Sequence, residues 1–238
     1  MIINKISIIV PAFNEESTIS IIADKLLNLY LVNNIKKEII IVNDCSTDNT
    51  DNLIQNIIKS NPTAEIKYIK HEKNAGKGAA IHSGIKNATG DYLIIQDADL
   101  EYSPEEYPRL LKPLENGFAD AVFGSRFLTY ESRRALFFWH RVGNRLLTLL
   151  SNMLTNIDLT DMETGYKVMR IEFAKKITIN EKRFGIEPEI TAKLAKLEAR
   201  IYEVPISYRG RTFAEGKKIS WKDGFSAIRC IVKYNILA

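Results

Sequence analysis

The sequence predicts an α/β fold: a mostly parallel central sheet flanked by helices, with a helical and loop-rich C-terminal region. Three observations carry this. Apolar, β-rich runs alternate with stretches of helical spacing through the first half of the chain. Those runs are continuous rather than alternating, as suits strands buried on both faces. The intervening stretches are long enough for right-handed helical crossovers between parallel strands.

Residues 6–10 form the first apolar run, ended by Pro11. Helical spacing follows through Ile19, Ile22, Ala23, Leu26 and Leu27. Residues 38–42 read as a second strand and 47–60 as a helix with Leu53, Ile54, Ile57 and Ile58 on one face. A third strand is expected over 65–69, a helix over 76–87 and a fourth strand over 92–95. In the second half, helix 104–114 places Pro104 in its first turn, and residues 119–123 form a further strand. Residues 134–154 read as a long apolar helix and 187–197 as another. Strand 201–208 and an amphipathic helix over 221–234 close the chain. No Pro-, Gly- or Ser-rich linker divides the 238 residues, which predicts a single domain over 1–238.

Composition is that of an ordinary globular protein, 45% hydrophobic and 26% charged, with a net charge of +4. So mild a charge does not argue for nucleic acid; a few substrate phosphates or an anionic lipid surface account for it equally well. Cys45 and Cys230 match no metal-ligand spacing and are expected as small hydrophobes in a reducing compartment. Neither a signal peptide nor an apolar window of about 18 residues is visible, which predicts a soluble or peripheral chain.

In open α/β sheets the ligand lies beyond the carboxyl ends of the strands. Polar clusters follow three of them: Asn14-Glu15, Asn43-Asp44 and Asp97–Asp99. Helix capping explains any one alone; three at one edge point to a site. Asp97-Ala98-Asp99 carries the strongest chemistry. Two carboxylates at a strand end suit Mg²⁺ or Mn²⁺, which is commonly held by one or two carboxylates plus substrate phosphates. Glu101, at the next alternate position, offers a third oxygen. Asp44 is placed to accept hydrogen bonds from a base or ribose, while Ser46 or Thr47 would start the next helix. Gly76-Lys77-Gly78 opens a helix and brings two glycines and a lysine to where phosphate binds. The full phosphate-loop pattern is absent, which disfavours a kinase or GTPase.

Together, Pro11-Ala12-Phe13-Asn14-Glu15, Asn43-Asp44-Cys45-Ser46-Thr47-Asp48, Asn74-Ala75-Gly76-Lys77-Gly78, Asp97-Ala98-Asp99 and Gly124-Ser125-Arg126 stand in the order found in family 2 glycosyltransferases. The chain resembles that family over nearly its whole length, and within it the dolichyl- or polyprenyl-phosphate sugar transferases. The resemblance implies a GT-A fold, residues 1–126 forming the nucleotide-sugar-binding half and 127–238 the acceptor- and membrane-facing half. It implies that Pro11, Phe13, Glu15 and Asp44 hold the nucleoside, with Lys77, Asp97 and Ala98 at the rest of the nucleotide sugar. Asp97, Asp99 and Glu101 are the implied metal ligands, though many relatives carry Gln at the position of Glu101. Arg126 would contact phosphate. Residues 208–218 resemble a basic loop that closes over donor diphosphate and acceptor phosphate, with Arg211 and Lys217 the preferred pair. The segment from Asp161 to Lys167 resembles one bordering donor sugar and acceptor.

The implied reaction is inverting transfer of a sugar from a nucleoside-diphosphate donor, UDP favoured over GDP, to polyprenyl phosphate. An anionic phosphate attacks without a strong general base, so catalysis would rest on Asp99, Arg126, Arg211 and Lys217. A sugar hydroxyl acceptor would need a base, for which Asp161 and Glu187 are candidates. Two alternatives stand beside this: extension of a polysaccharide or lipid-linked oligosaccharide, and a non-catalytic nucleotide-sugar-binding subunit. The aromatics and arginines from Arg133 to Arg141, with Trp221, Phe225, Ile228 and Val232 near the end, predict peripheral attachment at the cytoplasmic face of a membrane. No nucleic-acid partner is expected.

Overall fold

The computed structural model describes residues 3–128, 137–182, 185–210 and 221–237, with side chains from 224 onward in the last segment. Its strands are β1 (Lys5–Ala12), β2 (Lys36–Asn43), β3 (Ile66–Lys70), β4 (Tyr92–Ile95), β5 (Ala121–Ser125), β6 (Lys167–Arg170) and β7 (Ile201–Pro205). They form one sheet in the order β3-β2-β1-β4-β6-β5-β7. Every pair is parallel except those made by β6, which runs antiparallel between β4 and β5. The expected α/β class, mostly parallel sheet and flanking helices are all present.

Ile8, Ile9, Ile40, Ile41, Leu93 and Ile94 have essentially no solvent exposure. Successive side chains leave opposite faces of a strand, so these apolar runs feed two cores. One face packs α1 (Ile19–Asn28) and α4 (Tyr107–Glu115) through Ile22, Leu26, Leu110 and Leu114. The other packs α3 (Lys77–Asn87), α6 (Ile171–Lys176) and α7 (Ile186–Lys196) through Ile81, Ala174 and Ile190. Helix α2 (Thr50–Ser60) contributes Ile54 to the first core.

Strand β6 and helix α6 were not expected. Lys167–Arg170 is only four residues long, with a lysine at one end, an arginine at the other and one apolar pair between, too short for a period to register. Boundaries shift elsewhere. Helix α2 begins at Thr50 because residues 46–49 are spent on loop contacts described below, and β7 stops at Pro205. Cys230 is buried as expected, but Cys45 is half-buried with a left-handed φ of 62°, so it belongs to a turn rather than the core.

Helix α5 spans Phe138–Thr155, and α8 spans Trp221–Val232 before a wider turn over Lys233–Leu237. The two lie against one another. Leu147, Leu150 and Leu154 of α5 face the core. Its opposite side exposes Phe138, Trp139, Leu146, Leu149 and Met153, and α8 exposes Phe225 and Ile228. Among the described residues no helix is long and apolar enough to cross a membrane. The first part of the expected helix over 134–154 lies outside the described residues.

Candidate active site

The loops after β1 and β2 are stitched together by short polar side chains. Asn14 donates its backbone N–H to Ser46 Oγ at 3.0 Å, and its Oδ1 accepts from the N–H of Thr47 at 2.8 Å. Glu15 N–H donates to Thr50 Oγ1 at 2.9 Å, and Glu16 Oε2 accepts from Asn49 N–H at 2.9 Å. Asn14, Cys45 and Leu100, each just past a strand of the sheet's ligand edge, adopt positive φ of 54°, 62° and 62°. For leucine that conformation is strained, and strain concentrates at functional sites. Pro11 and Glu15 are half-buried beside this stitched edge, and the ring of Phe13 is exposed on it.

Asp44 is buried, and its carboxylate is already engaged. It accepts from the N–H groups of Ala75 at 2.9 Å and Gly76 at 2.6 Å. His71 Nδ1 lies 2.7 Å from Oδ1, and its Nε2 lies 2.9 Å from the Ser83 hydroxyl. Asp44 thus anchors the turn that opens α3. Gly76 and Gly78 have a reason of their own. A methyl built on Gly76 would lie 2.2 Å from the Lys182 carbonyl oxygen, and one on Gly78 would lie 1.8 Å from that of Glu181. Gly78 N–H donates to the Lys182 carbonyl at 3.1 Å. The glycines admit the 181–182 backbone, and it is Lys77 that turns into the site.

Lys77 Nζ sits 2.8 Å from Asp97 Oδ1 and 3.2 Å from Glu187 Oε1. Burial disfavours its charge, but Asp97 and Glu187 outweigh that and hold its pKa above the usual lysine range. Asp97 is fixed from beneath by Gln96. The buried Gln96 Oε1 accepts from the hydroxyls of Tyr107 at 2.9 Å and Tyr166 at 2.6 Å, while its Nε2 donates to the carbonyls of Asp97 and Tyr102. This clamp holds the turn from Ala98, which is buried, to Tyr102.

The three acidic residues of that turn point in different directions. Asp97 faces Lys77, Asp99 Oδ1 accepts the Glu101 N–H at 3.1 Å, and Glu101 Oε2 accepts the Tyr208 hydroxyl at 3.0 Å. Among the described residues, no three His, Cys, Asp or Glu side chains form a cluster able to hold an ion. What the turn supplies is Asp97 and Asp99, hard oxygen donors two residues apart. Such a pair fits Mg²⁺ or Mn²⁺, which keeps several waters or phosphate oxygens in its sphere.

Across from this turn, Arg126 is gripped by the fully buried Asp161. Nε and Nη2 each stand 2.7 Å from a different carboxylate oxygen, and the Arg126 N–H adds a third bond at 3.0 Å. Its guanidinium also lies 5.2 Å from the centre of the Tyr208 ring. Asp161 therefore spends both oxygens on orienting Arg126, and Glu187 is engaged by Lys77. Arg211 and Lys217 lie outside the described residues.

Sequence reasoning did not single out Glu163 and Lys167 within their segment, nor the supporting Gln96 and Tyr208. Lys167 is fully buried and donates to the carbonyls of Met162 at 2.9 Å and Thr164 at 2.6 Å. Burial pushes it down from the usual lysine range, against the pull of Glu187, Glu163 and Asp161. Burial, reinforced by the Glu187 charge, pushes Glu163 well above the usual carboxylate range. A charged residue at each end of a five-residue stretch otherwise made of Thr, Gly and Tyr was the available signal.

Residues 7–178 match the family model "Glycosyl transferase family 2". An uncharacterised protein of Methanocaldococcus jannaschii is 30% identical over 84% of this chain and 86% of its own length. A dolichol-phosphate mannosyltransferase of Pyrococcus furiosus is 28% identical over 90% of this chain, and a dolichyl-phosphate β-glucosyltransferase of Trichomonas vaginalis is 31% identical over 85% of it. The chain spans 60% and 65% of the lengths of those two relatives. Among solved structures, glucosyl-3-phosphoglycerate synthase of Mycobacterium tuberculosis, in complex with Mn²⁺, UDP and phosphoglyceric acid, superposes with a TM-score of 0.73. It is 18% identical, over 99% of this chain and 80% of that one. With the sheet order, the acidic turn after β4 and the family match in agreement, the chain belongs to glycosyl transferase family 2 and is a glycosyltransferase of GT-A fold.

Proposed function

We propose that the chain transfers a hexose, with inversion, from a nucleoside-diphosphate sugar to a polyprenyl phosphate at a membrane surface. The observation that carries this is Lys77 paired with Asp97 beside Asp99, with Arg126 following β5 at the same edge of the sheet. Paired carboxylates and two cations suit a pyrophosphate on one side and an acceptor phosphate on the other. Uridine is the favoured base, in keeping with the UDP held by the mycobacterial synthase. The phosphorylated-lipid acceptor is supported by the names of the Pyrococcus and Trichomonas relatives. The exposed apolar sides of α5 and α8 give such a lipid a surface on which to be met.

Asp97 and Asp99 would hold Mg²⁺ or Mn²⁺, which when bound supplies positive charge to the departing diphosphate. Lys77, already poised at Asp97, adds charge on the same side. Arg126, held rigid by Asp161, orients the acceptor phosphate, whose oxygen attacks the anomeric carbon as the bond to the diphosphate breaks. A phosphate nucleophile is anionic near neutral pH and needs no strong base. That matches a site in which Asp161 and Glu187 are both committed to cations. The test is a donor screen by thermal shift with Mn²⁺, followed by transfer to a short polyprenyl phosphate or to a free sugar. Transfer to the phosphate supports the reading; transfer to the sugar hydroxyl alone overturns it.

A further inference from the structure

Glu163 Oε1 is buried and has no hydrogen-bond partner among the described residues. A buried carboxyl oxygen left unpaired carries a desolvation cost that a ligand removes by hydrogen bonding to it. Its surroundings say which ligand. Burial, with Glu187 and Asp161, favours the neutral carboxyl at Glu163 over the pull of Lys167 and Arg126, so an uncharged partner suits it. Lys167 directs its Nζ to the carbonyls of Met162 and Thr164 and leaves that oxygen free. A neutral hydroxyl, able to donate or accept, meets both conditions.

The position says which hydroxyl. Glu187 is the largest charge acting on Glu163, and Glu187 shares Lys77 with Asp97. Two residues along, a methyl built on Gly165 would lie 2.7 Å from Asp97 Oδ2, so the backbone of this segment abuts the acidic turn. A diphosphate at Asp97 and Asp99 would place its sugar next to Glu163. We propose that Glu163 is a specificity-determining residue whose buried oxygen receives a hydroxyl of the transferred sugar. This rests on the sugar-transfer reading above.

The test compares the wild type with Glu163→Gln and Glu163→Ala. It uses whichever of UDP-glucose and GDP-mannose the enzyme turns over, and the monodeoxy analogues of that donor. Wild type is expected to reject one analogue by at least about tenfold in kcat/KM, the size of one lost buried hydrogen bond. Glu163→Ala should bring that ratio close to one, with the other analogues and the affinity for free nucleoside diphosphate unchanged. Glu163→Gln, of the same shape and still able to accept, should retain part of it and shows that folding is intact. An unchanged analogue profile in Glu163→Ala overturns the proposal while leaving sugar transfer standing. A uniform fall in kcat for every donor overturns it in favour of a proton-accepting role. Absence of turnover with either donor in the wild type overturns the transfer reading and this inference with it.

Discussion

Asp161 and Arg126 form a two-toothed ion pair in which the carboxylate is fully buried and each of its oxygens meets a different guanidinium nitrogen at 2.7 Å. Removing one partner of such a pair strands a buried charge and costs about 3–5 kcal/mol. Asp161→Asn is expected to lower unfolding free energy by that order in denaturant titration and to reduce turnover. The double variant Asp161→Asn/Arg126→Met should recover most of the stability and none of the turnover, because the pair's purpose is to aim Arg126. Equal recovery of both would remove Arg126 from the reaction.

The Gly76-Lys77-Gly78 turn is packed against backbone rather than left open. Gly78→Ala would drive a methyl to within 1.8 Å of the Glu181 carbonyl oxygen, and neither atom sits on a flexible side chain. Overpacking of this kind costs about 1–3 kcal/mol. The shift should carry Lys77 with it and weaken UDP binding. Gly143→Ala is the matched control: it lies inside α5 with nothing within 4 Å, and alanine there should stabilise by about 0.5–1 kcal/mol. Thermal melts and UDP titrations of the two variants should move in opposite directions and in only the first case, respectively.

For Asp99→Ala the expected outcome is loss of the metal's contribution to donor binding. Calorimetry in Mn²⁺ and in chelator should give different affinities for the wild type and a single affinity for the variant. A variant that still responds to Mn²⁺ would move the ion away from the turn after β4.

Much of this site was legible because its residues sit at fixed places after strong strands. The apolar runs of β1, β2 and β4 are unbroken, so Glu15, Asp44, Asp97 and Asp99 fall at their ends by position alone. What each carboxylate does was less legible. Asp44, expected at the base or ribose, also accepts the N–H groups of Ala75 and Gly76, some thirty residues away in the chain. Glu101, expected at the metal, also receives the Tyr208 hydroxyl at its Oε2. Such pairings depend on tertiary neighbours and leave no trace in local pattern. Strand β6 was missed for a related reason: its antiparallel place between β4 and β5 is set by the sheet, not by its own four residues.

Glu181 fastens the C-terminal helix to the segment lying over Gly76 and Gly78. Its carboxylate accepts from Arg229 at 2.5 Å, Lys233 at 3.0 Å and the Tyr234 hydroxyl at 2.9 Å. Burial opposes its charge, but these partners outweigh burial and hold its pKa down at about 2. An unfolded glutamate titrates at about 4.3. The folded value is the lower one, so this stabilisation is complete above the unfolded value and is lost as pH falls toward 2. Wild type should therefore exceed Glu181→Gln in denaturation midpoint at neutral pH, with the gap closing as the solution is acidified. A gap that stays constant into acid would mean the carboxylate's charge plays no part.

The exposed side of α5 places Trp139, Leu146, Leu149 and Met153 at steps that return to one face of a helix, and α8 sets Phe225 and Ile228 beside it. Fully burying one such side chain in an apolar medium is worth about 1.5–3 kcal/mol, so two substitutions suffice for a test. Trp139→Glu/Leu146→Glu is expected to reduce binding to vesicles of mixed neutral and anionic lipid by more than about tenfold. Folding stability should change by no more than about 0.5 kcal/mol per site, since both side chains are largely exposed. UDP affinity should be unaltered, because the donor-facing loops lie on other elements. Turnover should then fall with lipid-embedded acceptor and persist with a short soluble one. Vesicle binding equal to that of the wild type would separate this apolar face from the membrane and from delivery of the acceptor.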